Sequence, residues 1–209
     1  MIKNIVFDLG GVIVDLSREN AVKEFVAIGL ADADTRLDKY HQTGIFQDLE
    51  EGKLDEEAFR KELGHLCGRT LEKAEVQKAW LGFIPGVDVR KLDCLENLRK
   101  QGYRLYLLSN TNPYIMGWAC SAGFTGYHKP LDEYMDKMYL SYQIGYTKPD
   151  PRIFEFMLED SGMNPEETLF VDDGKANIER GKELGLHVLL VENATDWREA
   201  LIKALKVVK

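Results

Sequence analysis

Five short apolar runs recur along the chain, and none of them alternates cleanly between apolar and polar positions. Continuous runs of this length are typical of strands buried on both faces, as in a parallel sheet covered by helices, whereas alternation marks a half-exposed strand. We therefore expect five fully buried strands. The runs lie at residues 5–7, 105–108, 138–140, 169–171 and 188–191.

Between the apolar runs, apolar residues recur at the spacing of a helix. Leu92, Leu95 and Leu98 precede the second run, and Ile178 and Leu184 precede the fifth. The C-terminal segment carries one more apolar face at the same spacing. Since strand and helix patterns alternate, we expect an α/β fold built on a doubly wound parallel sheet.

The region from residue 16 to residue 84 departs from this alternation, because its pattern is helical throughout. Asp55 is a suitable N-cap for a helix that carries Phe59 and Leu63. Pro85 and Gly86 supply a turn at its end. We therefore expect a small all-helical domain at 16–84, inserted into a core formed by 1–15 and 85–209.

Composition and charge argue against several classes of function. A chain of 209 residues with a formal charge of −8 lacks the excess of Lys and Arg that nucleic-acid binding requires. It contains no apolar stretch near the roughly 20 residues that cross a bilayer and no signal-peptide pattern at its start, so we expect a cytoplasmic protein. Three widely spaced cysteines are expected to be reduced.

Polar residues directly after the apolar runs are the candidates for chemistry, because ligands of open α/β sheets bind beyond the carboxyl ends of the strands. Taken singly, each has a plainer interpretation as a turn, a helix cap or a solvated side chain. Taken together, they predict one site at the sheet edge. The candidates are Asp8, Ser109, Asn110, Lys148 in a polar loop, Asp172 and Asp173.

Three carboxylates at one edge would repel each other unless a cation lies among them. A ligand set made only of oxygens, with no His or Cys nearby, favours Mg²⁺. Lys148 would add fixed positive charge, and Ser109 and Asn110 would donate hydrogen bonds to anionic oxygens. Such a set suits phosphoryl transfer, in which a carboxylate can act as the nucleophile.

At this point the sequence resembles the haloacid dehalogenase superfamily. FDLGGVIVD at 7–15, LSNTN at 108–112, YTKPDP at 146–151 and FVDDGKANI at 170–178 resemble its four motifs in order. The segment GIFQDLEEGKLDEEAF at 44–59 resembles the cap of its sugar-phosphate phosphatase branch, and the α-D-glucose 1-phosphate phosphatase type is the most similar. The resemblance implies a Rossmann-like core with an inserted helical cap.

The resemblance also implies a mechanism and roles for single residues. Asp8 would form an aspartyl-phosphate, and Mg²⁺ would be held by Asp8, the backbone carbonyl of Gly10 and Asp173. Ser109 and Asn110 would hold the phosphoryl oxygens while Lys148 bridges phosphate and nucleophile. Two further residues would support the metal site from outside its direct ligands, namely Asp172 and Asn177.

Gly10 departs from the pattern of most phosphatases of this family, which carry a second Asp there. A backbone carbonyl survives the change, but the residue that protonates the leaving oxygen is lost. General acid–base catalysis typically contributes about 10²–10⁴-fold. The enzyme would then be slow, or favour a leaving group that needs little protonation, or recruit another acid such as Asp15 or a cap residue. The other interpretation of Asp15 is a hinge or cap-linker residue.

We therefore expect a Mg²⁺-dependent phosphatase for small phosphorylated metabolites, sugar phosphates first, acting as a monomer or weak homodimer. Two alternatives stay open: a metal-free dehalogenase attacking carbon, and a weakly catalytic binding or regulatory protein with this fold. Substrate choice would lie in the cap and in the loop after the second strand. The candidates there are Asn112, Tyr114, Trp118, Tyr127, His128, Lys129, Phe46, Gln47 and Asp48.

Overall fold

A computed structural model describes residues 1–38, 42–125 and 129–207. Its centre is one parallel sheet of five strands in the order β3-β2-β1-β4-β5, with helices on both faces. This is the predicted doubly wound α/β fold. The strands are β1 (Asn4–Phe7), β2 (Arg104–Ser109), β3 (Lys137–Leu140), β4 (Thr168–Asp172) and β5 (His187–Leu190).

Helices fill the intervals between the strands, and six of them lie between β1 and β2. Those between residues 18 and 81 are α1 (Arg18–Ala27), α2 (Ala33–Arg36), α3 (Ile45–Glu50), α4 (Glu56–Cys67) and α5 (Lys73–Leu81). The later ones are α6 (Val89–Lys100), α7 (Pro113–Ala119), α8 (Ser141–Ile144), α9 (Pro151–Ser161), α10 (Lys175–Glu183) and α11 (Arg198–Val207).

The predicted strand positions are confirmed, but uniform burial is not. All residues of β1 and β4 are buried, since these strands have a neighbour on each side and helices on both faces. β5 lies at the edge of the sheet and is only partly buried, with Leu190 exposed. Edge position follows from topology, which a short apolar run does not reveal.

The two faces of the sheet bury different side chains of the same strands. In β1, Ile5 and Phe7 pack into a cluster with Leu95 of α6 and Leu201 of α11. Val6 points into a second cluster that includes residues of α9 and α10. Successive side chains of a strand point to opposite faces, so a run apolar at every position is needed to cover both.

The segment between β1 and β2 packs around an aromatic cluster. Phe46 of α3 contacts three other rings, with centroid separations of 5.3 Å to Phe25, 5.3 Å to Phe59 and 5.7 Å to Trp80. As predicted, Asp55 caps α4, because its side chain accepts a hydrogen bond from the amide of Ala58. No strand lies between residues 18 and 81 in the part of the chain that the structure describes.

Contacts of defined geometry join this helical segment to the rest of the fold. The hydroxyl of Tyr114 in α7 donates a hydrogen bond of 2.8 Å to the carbonyl of Glu56. At Gly52, φ is +68°, and a Cβ atom there would lie 2.2 Å from the carbonyl oxygen of Tyr142 in α8. Only glycine fits both the backbone angle and the close approach.

Phe46→Ala should lower the free energy of unfolding by about 3–5 kcal/mol, because it removes the ring that touches three others and leaves a cavity. Urea titration followed by circular dichroism measures the change. Phe156→Ala is the matched control, since Phe156 is 46% exposed. Equal losses in the two variants would contradict a core role for the cluster.

Candidate active site

The parallel register brings the predicted residues to one edge of the sheet. Phe7 of β1 lies beside Leu107 of β2 and Val171 of β4, so the residues that follow these positions emerge together. Asp8 follows β1 directly, while Ser109 and Asp172 end β2 and β4. The amide of Asp8 donates a hydrogen bond to the carbonyl of Val171, which continues the β1–β4 pairing up to the candidate nucleophile.

Lys148 lies between two of the carboxylates. Its ammonium nitrogen is 3.0 Å from Asp8 Oδ1 and 2.7 Å from Asp172 Oδ2, and its side chain is only 1% exposed. Burial alone would lower the pKa of Lys148, but the negative charges of Asp172 and Asp8 outweigh it and hold that pKa above its ordinary value. The plainer interpretation of Lys148 as a solvated side chain is thus wrong, because the loop turns the side chain inward.

Asn110 holds the backbone of Lys148 from both sides. Its Oδ1 atom accepts a hydrogen bond of 2.7 Å from the Lys148 amide, and its Nδ2 atom donates one of 2.9 Å to the Lys148 carbonyl. The side chain predicted to donate to a phosphoryl group therefore also positions the buried lysine. The hydroxyl of Ser109 lies 3.4 Å from the Asn110 carbonyl and is buried.

Asp172 is fully buried and has partners on both carboxylate oxygens. Oδ2 accepts a hydrogen bond from the ammonium group of Lys148. Oδ1 accepts hydrogen bonds from the Gly174 amide at 2.7 Å and from Asn177 Nδ2 at 3.0 Å. A carboxylate occupied in this way can orient a site better than it can bind a metal directly. These contacts support the indirect roles predicted for Asp172 and Asn177.

The carboxylates of Asp8, Asp172 and Asp173 lie close enough to share a cation. Each offers an oxygen atom, and these atoms lie within 4.8 Å of one another. Gly11, at φ +75°, makes room for them, because a Cβ atom there would lie 2.2 Å from Asp173 Oδ2. The donor chemistry, oxygen atoms at a sheet edge, fits Mg²⁺.

The pKa of Asp8 reflects the same crowding. Burial raises it to about 7, the charge of Lys148 opposes the rise, and the charges of Asp172 and Asp173 add to it. A divalent cation between the carboxylates would act in the same direction as Lys148 and favour the ionised form of Asp8.

Two small cavities open beside this cluster. The smaller, about 60 Å³, is lined by nine residues: Asp8, Gly10, Leu16, Gln42, Glu50, Asn110, Lys148, Asp173 and Asn177. The larger, about 80 Å³, shares several of these residues and extends to Trp80, Ser109, Thr111 and Asn112. Most of the predicted site thus converges on one concave region.

Glu50 is the residue of this region that the sequence interpretation missed. It ends α3, is 9% exposed, and lines both cavities. A usable signal existed, because Glu50 falls on the same helix face as Phe46 and Leu49, and a charged residue on an apolar face is unusual. The predicted cap candidates Gln47 and Asp48 instead have partners outside the cavities. Gln47 bonds to Glu51 on the helix exterior, and Asp48 pairs with Lys53 at 3.7 Å.

Other predicted substrate residues have local partners. Asn112 is buried and caps α7 by accepting hydrogen bonds from the amides of Tyr114 and Ile115, although it also lines the larger cavity. Trp118 packs edge-on against Phe124 and lines neither cavity. Lys129 bonds to Glu96. Tyr127 and His128 lie outside the described residues.

Asp15, the named substitute for the missing acid, also lines neither cavity. Its Oδ1 atom is 3.1 Å from the ammonium group of Lys91, which is buried. The Asp15 amide donates to the carbonyl of Gly86, where the chain returns from the helical segment. These contacts agree with the other interpretation of Asp15, a residue of the linker between the two parts.

The fold and the site together define a doubly wound α/β enzyme with a carboxylate cluster able to hold a metal at its strand ends. The family model of the haloacid dehalogenase-like hydrolases matches residues 2–185. The chain therefore belongs to this hydrolase family. None of the helices within the described ranges has the length and apolar character needed to cross a bilayer.

Individual relatives agree with the family. A D-ribitol-5-phosphate phosphatase from Bacteroides thetaiotaomicron is 63% identical over 201 residues, covering 96% of this chain and 97% of the relative. A HAD-like family hydrolase from Porphyromonas gingivalis superposes with a TM-score of 0.93 at 46% identity, covering 99% of this chain and 98% of that one. A HAD family enzyme from B. thetaiotaomicron, in complex with magnesium and inorganic phosphate, superposes with a TM-score of 0.88 at 34% sequence identity. The match covers 96% of this chain and 99% of that one.

These comparisons confirm the predicted enzyme class, a phosphoric monoester hydrolase, and its magnesium cofactor. They favour that class over the two alternatives, a metal-free dehalogenase and a binding protein. They do not specifically support the α-D-glucose 1-phosphate phosphatase type.

Lys148→Met should lower the free energy of unfolding at pH 7 by about 3–5 kcal/mol, because it leaves two buried carboxylates facing each other without a cation. Chemical denaturation measures the loss, and adding Mg²⁺ should recover part of it. Lys203→Met, which removes an exposed lysine, should change the stability little. A loss no larger than that of the control would contradict the charge network described here.

Proposed function

We propose that this protein is a Mg²⁺-dependent phosphatase that hydrolyses phosphate esters of sugars or sugar alcohols through an aspartyl-phosphate on Asp8. The observation that carries the proposal is the cluster itself, in which a nucleophile candidate, a buried lysine and two further carboxylates meet at the ends of β1 and β4. The family membership and the phosphatase relatives support the same chemistry.

In this proposal Asp8, the Gly10 carbonyl and Asp173 hold the metal, and Asp172 and Asn177 orient the acidic loop. Bound Mg²⁺ would offset the negative charge of the phosphate and of the attacking carboxylate. The Asp8 carboxylate attacks phosphorus and displaces the leaving oxygen.

Lys148 stays beside Asp8 and neutralises charge on the transferring group. Ser109 lines the larger cavity and Asn110 lines both cavities, and these two residues bind phosphoryl oxygens. Asn110 also fixes the Lys148 backbone, so it contributes to both binding and positioning.

Two features favour a small polyhydroxylated substrate. The D-ribitol-5-phosphate phosphatase is similar to this protein over almost the whole length of both chains. In addition, Trp80 Nε1 and Thr111 Oγ1 are buried without a hydrogen-bond partner among the described residues, and both residues line the larger cavity. Unsatisfied buried polar atoms are costly, and substrate hydroxyl groups are of the right chemistry to satisfy them.

In this proposal the two predicted domains have different functions. Residues 1–15 and 85–209 form the catalytic core, and residues 16–84 form a cap that covers the site and reads the leaving group. Gln42 and Glu50 from the cap segment line the same cavity as Asp8, which supports this division. A monomer or weak homodimer is consistent with a site built within one chain.

Phosphate release from a panel of esters tests the proposed function. The panel contains pentitol and pentose 5-phosphates, hexose phosphates including glucose 1-phosphate, and a nucleotide. We expect the highest kcat/KM among the five-carbon polyol and sugar phosphates, and complete loss of activity in EDTA with recovery on adding Mg²⁺. Activity that survives full metal removal, or preference for the nucleotide, would contradict the proposal.

Asp8→Asn should abolish phosphate release, because the amide is a poor nucleophile for phosphorus. The isosteric change also removes one of the repelling charges, so the variant should be at least as stable as the wild type when heated. Asp160→Asn alters a surface carboxylate that pairs with Lys137 and should keep activity. Measurable turnover by a folded Asp8→Asn variant would rule out Asp8 as the nucleophile.

A further inference from the structure

Hydrolysis of an alkyl phosphate requires a proton for the leaving oxygen, and the core loop does not supply one. Gly10 lies two residues after Asp8, lines the small cavity, and has no side chain. Asp15 is engaged with Lys91 and does not reach this cavity. A proton donor for the reaction must therefore come from another element.

Glu50 is a carboxyl group in the right place. It lines the cavity that also contains Asp8, Gly10 and Lys148, and it is more than nine-tenths buried. Across ranges 1–38, 42–125 and 129–207, no hydrogen bond or ion pair engages its side chain. A buried carboxyl group without a partner is expensive unless it serves a ligand.

The surrounding structure holds Glu50 in this position. Phe46 and Leu49 on the same face of α3 are fully buried. The next residue, Glu51, turns outward to Lys53, and Gly52 then passes directly against the carbonyl of Tyr142 in α8. The chain on both sides of Glu50 is therefore packed, so the carboxyl group is presented to the cavity by a rigid element.

The charges around Glu50 favour its protonated form. Burial raises its pKa to about 8, and the negative charges of Asp8 and Glu51 add to the rise. The other charged groups lining the small cavity are Lys148 and Asp173. A neutral carboxylic acid near neutral pH can donate a proton, whereas an exposed glutamate is already ionised.

We propose that Glu50 is the general acid and base of the reaction and replaces the carboxyl group that Gly10 lacks. In the first step the Asp8–phosphorus bond forms, the bond between phosphorus and the leaving oxygen breaks, and Glu50 gives its proton to that oxygen. In the second step water attacks phosphorus, Glu50 takes a proton from the water, and Asp8 leaves as a carboxylate. Both residues return to their starting states, with an alcohol and inorganic phosphate as products. This inference rests on the proposed function.

The test compares leaving groups of similar shape and different basicity. Phenyl phosphate needs protonation of its leaving oxygen far more than p-nitrophenyl phosphate does, and neither carries a hydroxyl group. Glu50→Gln should reduce kcat/KM, which reports the transfer step and not the later hydrolysis of the aspartyl-phosphate, by about 10²–10⁴-fold for phenyl phosphate and for the best polyol phosphate. For p-nitrophenyl phosphate the loss in kcat/KM should be less than about 10-fold. Glu51→Gln, the neighbouring paired glutamate, is the matched control and should keep the wild-type leaving-group dependence.

A uniform loss of kcat/KM over all esters, or a change in KM or in the Mg²⁺ concentration needed for activity with kcat unchanged, would overturn the assignment. Either result would point to a structural, hydroxyl-binding or metal-related role. A wild-type enzyme without activity on any phosphate ester would instead contradict the proposed function, which separates the two failures.

A rescue variant keeps the inference falsifiable if Glu50→Gln alone is poorly folded. In Gly10→Asp/Glu50→Gln, the new carboxyl group should raise kcat/KM on phenyl phosphate at least about 10-fold above that of Glu50→Gln. The three atoms nearest to a Cβ at residue 10 all belong to the flexible side chain of Leu16, the closest at 2.8 Å, so a small shift of that side chain would admit the substitution. A folded double variant with no recovery would count against acid–base loss as the cause.

Discussion

The site depends on one interaction, the burial of the Lys148 ammonium group between Asp8 and Asp172. Removing these charges from water is costly, and the cost is recovered only when the partners and their hydrogen bonds are well placed. Here one positive charge faces three carboxylates, including Asp173, so negative charge remains in excess. That excess explains why the arrangement suits a divalent cation, and why the Asp8 carboxyl group can be ionised when a cation is bound.

Several parts of the fold hold the charged side chains of this cluster in position. The β1–β4 pairing continues through the Asp8 amide, and the Asn110 side chain holds the backbone of Lys148 at both its amide and its carbonyl. Gly11 is required because a side chain there would collide with Asp173. The strands thus provide the geometry, while two short loops supply the hydrogen bonds that stop the charged groups from separating.

Most of the core site could be predicted because each residue directly follows an apolar run. The common location of Asp8, Asp172 and Asp173 could be predicted from one rule, that the carboxyl ends of parallel strands meet at one edge of the sheet. Burial of Lys148 could not be predicted, since its direction depends on a bond from Asn110 thirty-eight residues away in sequence. The exposure of β5 depends on strand order, which local patterns do not encode.

Glu50 was missed for a different reason, and this residue is also what distinguishes the site. The signal was weak, because α3 has only six residues, so the apolar face with Phe46 and Leu49 is short, and two glutamates stand side by side at its end. With the acid on the cap segment and the nucleophile on the core, neither part alone can complete the reaction. A substrate that prevents the cap from packing would bind phosphate through Lys148 and still lack a proton donor. Selectivity would then be expressed in kcat, because a poorly fitting leaving group is held but not protonated.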